Sequence, residues 1–289
     1  MVAETYKTVL GVERFKTAIV ATGNQFADAL PGSYLAYMKK APILLTNTKD
    51  KYMNNVVDYI VNNVEKGAIV YILGGESAVS KVMDSKLTTA GFNPVRLGGK
   101  NRYETNVKIL EAAGVTGGEI IVATGENFAD SLSASATKKP ILLVKNKFYD
   151  FQAKFLSGLK DCTFYIVGGT GAVSLDNVKI LLDYGTIESR IAGTGRRETS
   201  VLIAKKFFDN PSSTVIAYEK EFPDGLCGGP LAAELNIPLL LTREGKTSEA
   251  SAYVQEFGIK SGYVLGGNEA MTDKAVMDVY SLKSVDEIK

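Results

Sequence analysis

The chain has 289 residues, 45% of them apolar and 22% charged, a globular composition long enough for two or three domains. Its 33 Lys+Arg against 32 Asp+Glu leave a formal net charge of +1, which argues against a general nucleic-acid binder. There is no histidine, so mechanisms built on an imidazole base are excluded, together with most zinc sites.

In chain order, the block Ala-Thr-Gly-Asn-Gln-Phe-Ala-Asp-Ala-Leu at 21–30 is followed by Pro-Ile-Leu-Leu at 42–45 and Ile-Leu-Gly-Gly at 72–75. An arginine-framed segment then runs from Arg96 to Thr105. The same four blocks return at 123–132, 140–143, 166–169 and 190–199. A weaker third set lies at 217–226, 238–241 and 264–267. Asp28, Asp130 and Asp224 are spaced by 102 and 94 residues. Blocks kept in fixed order mean three copies of one unit of about 95 residues, divided here as 1–98, 99–192 and 193–289.

From Asp to the following Pro the distance is 14, 10 and 14 residues, and from Pro to the Gly-Gly pair 32, 28 and 28. Differences of four residues are close to one helical turn and keep a helix on the same face, so both intervals hold helices. The second unit shows the elements in sequence. An amphipathic helix over 105–113 precedes a strand at 119–123, a helix near Asp130 and a strand at 141–144. Another helix leads to a strand at 163–167, a helix capped by Ser174 and a last strand approaching Arg190. Ser80 and Thr272 are the counterpart N-caps. Short continuous apolar strands between helices predict parallel sheets buried on both faces. The fold class is α/β, as three tandem small three-layer units. Each core is modest, so packing between units contributes to stability.

Cys162 and Cys227 are too few for a disulfide framework and read as small buried or half-buried residues. No run of about 18 apolar residues is available to span a membrane. No signal peptide opens the chain at Met1 to Glu4, so an exported protein would be represented by its processed form. There is no phosphate loop, no dinucleotide fingerprint and no aspartate ladder for calcium, and neither cofactor nor metal is expected.

Ligand sites in parallel α/β sheets lie at the carboxyl ends of strands. Asp28, Asp130 and Asp224 sit there, and read first as helix-start carboxylates; Phe26, Phe128 and Phe222 read as packing residues. Gly74, Gly75, Gly168 and Gly169 need a permissive backbone or present bare N–H groups to an anion. Arg96, Arg102, Arg190, Arg196 and Arg197 recur at the unit boundaries. They are either inter-unit staples or bidentate forks for a carboxylate or phosphate. Asn24 and Asn127 add polar groups to the neighbouring loops.

The four blocks, above all Ala-Thr-Gly-Glu-Asn-Phe-Ala-Asp-Ser-Leu at 123–132 and Arg-Tyr-Glu-Thr at 102–105, resemble the cell-wall-binding repeat type 2 family of clostridial and bacillar surface proteins. The resemblance covers nearly the whole chain. It implies three modules about a pseudo-threefold axis that bind an anionic secondary cell-wall polysaccharide non-covalently. It also implies an extracellular location in the cell wall or S-layer, other S-layer proteins as a second class of partner, and no membrane insertion. On that basis Arg102 and Arg196 are the chief ligand residues. Arg96, Arg190, Arg197, Asn24, Asn127, Asp28, Asp130 and the two Gly-Gly pairs support them. Val2 stands where Arg102 stands in the second unit, Ile288 falls where Arg96 and Arg190 fall, and the third unit reads Tyr-Glu-x-x-Phe-Pro-Asp. Two other readings stay open: a small α/β enzyme or nucleotide binder using Asp28 or Asp130, and a purely structural S-layer unit.

Overall fold

The computed structural model describes residues 2–145 and 147–288 and gathers them into three parallel sheets, one per unit. Unit 1 runs α1 (Val2–Leu10), β1 (Ala18–Thr22), α2 (Ala29–Lys39), β2 (Ile43–Thr46), α3 (Asp50–Asn63), β3 (Ile69–Leu73), α4 (Val82–Thr89) and β4 (Asn93–Leu97). Unit 2 repeats the order as α5 (Arg102–Ala112), β5 (Gly117–Thr124), α6 (Ala129–Ala134), β6 (Ile141–Val144), α7 (Asp150–Ser157), β7 (Lys160–Val167), α8 (Leu175–Leu181) and β8 (Gly185–Ile191). Unit 3 has α9 (Arg196–Phe207), β9 (Thr214–Tyr218), α10 (Pro223–Leu226), α11 (Gly228–Leu235), β10 (Leu239–Thr242), α12 (Ser248–Glu256), β11 (Gly262–Leu265) and α13 (Asp273–Tyr280).

The strand orders are β2-β1-β3-β4, β6-β5-β7-β8 and β10-β9-β11, so the first two units carry a fourth strand. Register is conserved with topology: Ala21 pairs with Leu45, Ala123 with Leu143 and Ala217 with Leu241. The proline of each Pro-Ile/Leu-Leu block stands just before its strand, where its missing N–H costs no ladder bond. Its carbonyl accepts from Ile19, Ile121 and Val215 at 3.0, 2.9 and 2.8 Å respectively.

Ser174 and Thr272 cap α8 and α13, accepting from the backbone N–H three residues on. Ser80 instead accepts from Val82 N at 3.3 Å, and α4 begins one residue later than a Ser80 cap requires. The arginine segments differ more from expectation. The helix expected from residue 105 begins at Arg102, because the Asn101 side chain accepts from the Tyr103 and Glu104 amides and caps it there. Arg102 and Arg196 are therefore the first residues of helices α5 and α9.

The units meet around a pseudo-threefold axis formed by α2, α6 and the α10–α11 pair. Phe26, Phe128 and Phe222 close a triangle with ring centroids 6.0, 5.7 and 5.5 Å apart, each pair worth about 0.5–1.5 kcal/mol beyond its burial. One turn deeper, a Cβ on Gly229 would lie 2.5 Å from Ser135 Oγ and 3.0 Å from Ser33 Oγ. These three residues each follow the repeated aspartate by five, and small side chains there let the helices converge. The largest apolar core draws on all three units, so much of the buried surface lies between them.

Candidate functional site

Each repeated aspartate faces the first glycine of its own Gly-Gly pair. Gly74, Gly168 and Gly266 have φ of 100°, 102° and 117°, a region that favours glycine. A Cβ there would stand 2.5, 2.7 and 3.1 Å from the Oδ2 of Asp28, Asp130 and Asp224. The close approach of carboxylate to bare backbone is why the two blocks recur together. Their first N–H groups are not bare: Gly74 N donates to Leu97 O at 2.8 Å and Gly168 N to Ile191 O at 2.9 Å. Asp28 sits at the N-cap position of α2 without making a cap bond.

Burial of these carboxylates falls along the chain. Asp28 is 8% exposed, Asp130 is half-buried and Asp224 is exposed. Burial pushes the Asp28 carboxyl up to about 6 against the opposing pull of Arg102. Asp130 moves the same way by burial, opposed by Arg196. Each arginine thus acts electrostatically on the aspartate of the preceding unit, without a direct ion pair among the described residues.

Arg102 and Arg196 are built alike. Arg102 Nη1 donates to Gly125 O and Arg196 Nη1 to Glu219 O, both at 2.5 Å. The guanidinium of Arg102 lies 5.5 Å from the Phe26 ring centre and that of Arg196 5.4 Å from Phe128. They join the aromatic triangle to the joints through cation–π contact.

Arg96 and Arg190 have a different place. Arg96 donates to the carbonyls of Gly74, Val79 and Ser80 and forks onto Asp84. Arg190 donates to Gly168 O at 2.7 Å and Val173 O at 3.0 Å, and its burial lowers the guanidinium pKa. Both hold the Gly-Gly turn to the last strand. Asn24 is exposed, its backbone N–H donating to Thr22 Oγ1, and Asn127 Oδ1 accepts from Ala129 N just ahead of α6. The unit-1 counterpart of Asn127 is Gln25, and that residue, rather than Asn24, lines the joint cleft.

The three joints have different chemistry. Between units 1 and 2 lies a cleft of about 660 Å³ with Asp28, Gln25, Ser77, Lys100, Arg102 and Tyr149 in its wall. Tyr103, Tyr149 and Phe151 stack behind it at 5.4 and 5.1 Å. Tyr103 packs so closely on Gly125 that a Cβ there would lie 2.6 Å from its ring. Lys145 pairs with Glu126 at 3.3 Å on the rim.

Between units 2 and 3, Arg197 replaces Tyr103, Glu219 replaces Gly125 and Arg243 replaces Lys145. The Glu219 carboxylate, 5% exposed, lies 2.7 Å from Arg197 Nη1 and 2.5 Å from Arg243 Nε. Arg197 also reaches Glu249 at 3.0 Å. Its Nε and Nη1 are thus committed to Glu249 and Glu219.

Between units 3 and 1, Val2 and Ala3 stand where the arginine and tyrosine stand. They line an apolar groove of about 420 Å³ with Leu44, Tyr59, Pro223 and Cys227. Cys162 is buried and Cys227 half-buried, both as free thiols. Among the described residues no cluster of three metal-ligating side chains occurs, and no helix is long and apolar enough to cross a membrane.

Residues 2–84, 96–179 and 190–276 match the family model of Cell wall binding domain 2 (CWB2). The chain belongs to this family. It is 29% identical over 266 residues to the N-acetylmuramoyl-L-alanine amidase LytC of Bacillus subtilis, covering 89% of this chain and 52% of that protein. It is 28% identical over 262 residues to the Amidase enhancer of the same organism, covering 83% and 35%. The chain therefore spans about half or less of the length of these relatives. Among solved structures, Cwp8 from Clostridium difficile superposes with a TM-score of 0.84 at 25% identity, over 98% of this chain and 51% of that one. Cwp6 from the same organism gives 0.78 at 23% identity over 98% and 47%, a likeness of fold.

Proposed function

We propose that this chain, built of three CWB2 units, holds the protein it belongs to on the cell wall by binding an anionic secondary wall polysaccharide at its arginine-bearing joints. The observation that carries this reading is the placement of Arg102 and Arg196. Arg102 shares a cleft with the strand-end Asp28 of the preceding unit, and Arg196 acts electrostatically on Asp130, beside loops where an α/β sheet presents ligands. A guanidinium fork suits the phosphates or carboxylates of such a polymer. In this reading the chain is a binder and not a catalyst. It acts outside the cell, in the wall or S-layer, with other S-layer proteins as neighbours.

The test is co-sedimentation with purified cell wall, before and after removal of its secondary polysaccharide. Binding is expected to disappear with the polysaccharide and to weaken from low to physiological salt, because exposed pairs are screened over about 8 Å at 0.15 M. The double variant Arg102→Ala/Arg196→Ala is expected to bind at least ten-fold more weakly than the parent. Its stability should fall by only about 1–2 kcal/mol, from the lost cation–π contacts. Undiminished sedimentation of the double variant, or equal binding to stripped wall, overturns the reading.

A further inference from the structure

We infer that the two arginine joints are not equivalent: the joint of units 1 and 2 is an open site for a sugar carrying one anionic group, and the joint of units 2 and 3 is closed by the chain's own Glu219. The inference rests on the polysaccharide reading above and assigns its ligand class and number of sites.

The second joint is an anion site already filled. Two arginines converge on one buried carboxylate, and a third donates to the same residue's carbonyl. Glu219 stands at the position of Gly125, whose side-chain space the Tyr103 ring covers at the first joint. Its partner Arg197 occupies the place of Tyr103, so the two exchanges compensate. A carboxylate tethered by its own backbone outcompetes a dilute external anion, because its effective concentration is high.

The first joint is not closed by the chain's own groups, and its lining is mixed. Lys100 and Arg102 supply positive charge. Asp28, 8% exposed as a residue, lines the same cleft, and no protein group among the described residues donates a hydrogen bond to its carboxylate. Sugar hydroxyls supply donors of the kind a carboxylate accepts. Arg102 beside it makes a bare cation a poor occupant. The half-buried Tyr149 ring, stacked with Tyr103 and Phe151 and with Lys147 Nζ over it at 6.0 Å, adds an apolar edge to the cleft. Anion and hydroxyl recognition within one cleft selects a glycosyl unit with a phosphate or carboxylate over either part alone.

The experiment is a 15N–1H correlation titration of the whole chain with glucose 6-phosphate, with glucose and inorganic phosphate as separate arms. In the parent, shifts are expected only around Asn101, Arg102 and Gly125. Each separate arm should bind at least ten-fold more weakly, and Asp28→Asn should weaken glucose 6-phosphate by a similar factor. Glu219→Gln, which keeps the shape and removes the charge, should add a second set of shifts around Arg197 and Thr242. Should Glu219→Gln lose its dispersed spectrum, the reverse exchange Gly125→Glu/Tyr103→Arg carries the test, and it should abolish the shifts at the first joint. Parallel shifts at both joints of the parent overturn the inequality. So does a first joint that still binds after the exchange. Inorganic phosphate binding as tightly as glucose 6-phosphate, or no shift at the first joint, overturns the ligand class. Failure of the polysaccharide reading itself is seen separately, as parent chain that does not sediment with intact wall.

Discussion

The first and second joints share a backbone: the same strand end, the same helix start, and an arginine that bonds the same carbonyl position. At the first joint Tyr103 lies against Gly125 and a polar cleft remains. At the second, Arg197 and Arg243 close on Glu219. A compensated exchange of three residues changes an open surface into an internal ion-pair network without altering topology. Repeated folds therefore need to be compared joint by joint, since a motif shared by every unit does not give every unit the same site.

The largest expected effect separates the two joints by stability. Arg197→Ala leaves the Glu219 carboxylate buried with Arg243 as its one remaining ionic partner, and removing a partner from a buried pair costs about 3–5 kcal/mol. A loss near 3 kcal/mol is expected in urea denaturation. Lys145→Ala at the first joint removes a pair whose side chains are 46% and 57% exposed, and exposed pairs contribute about 0–1 kcal/mol. Similar losses for the two variants would mean that the second joint is as solvated as the first.

The second effect concerns the aspartates. A carboxyl raised to about 6 in the folded state, against about 3.9 unfolded, makes the native chain bind the extra proton between those values. Asp28 therefore favours folding below pH 4, and that contribution is lost as pH rises through about 6. Asp28→Asn does not titrate, so its stability relative to the parent should grow between pH 4 and 6.5. The gain approaches about 3 kcal/mol at most, from a shift of about two units. Asp130→Asn should show the same sign and a smaller gain, because Asp130 is half-buried. Denaturant midpoints at pH 4.5, 5.5 and 7 check both; an Asp28→Asn margin over the parent that does not grow with pH through this window would contradict the burial of Asp28.

Repeats, strands and most helices were legible in the sequence because apolar runs, prolines and Gly-Gly turns recur at helical spacing. The parallel topology follows from strands such as Ile141–Val144 that are apolar on both faces. The ends of α5 were less legible: an Asn101 cap outweighs the amphipathic pattern and draws Arg102 and Tyr103 into the helix. Arg96 and Arg190 resembled Arg102 and Arg196 as boundary arginines, and only geometry separates forks that hold a turn from those at a joint. Glu219 was visible as a departure in the third unit, but its meaning depends on Arg243, which lies 24 residues away in sequence. Gln25 carried a usable signal, since aligning the first block places it opposite Asn127.

The smallest effect sets the first joint against the third through one glycine. Gly125 and Gly23 occupy the same place, and neither has positive φ. Alanine there restricts the unfolded chain and adds about 0.4–1 kcal/mol of stability where the side chain fits. At Gly23 a Cβ meets Leu45 at 3.6 Å, an ordinary contact, because the facing helix carries Ala3 where α5 carries Tyr103. At Gly125 the same atom would lie 2.6 Å from the Tyr103 ring. That ring is itself buried and stacked on Tyr149, so it has little room to yield, and overpacking costs about 1–3 kcal/mol. Gly23→Ala should therefore leave the denaturation midpoint unchanged or raise it, and Gly125→Ala should lower it. Gly125→Ala combined with Tyr103→Ala should recover part of the loss relative to Tyr103→Ala alone, because the clash goes with the ring. A double-mutant cycle showing no coupling between the two positions would mean that the glycine is needed for something other than the tyrosine.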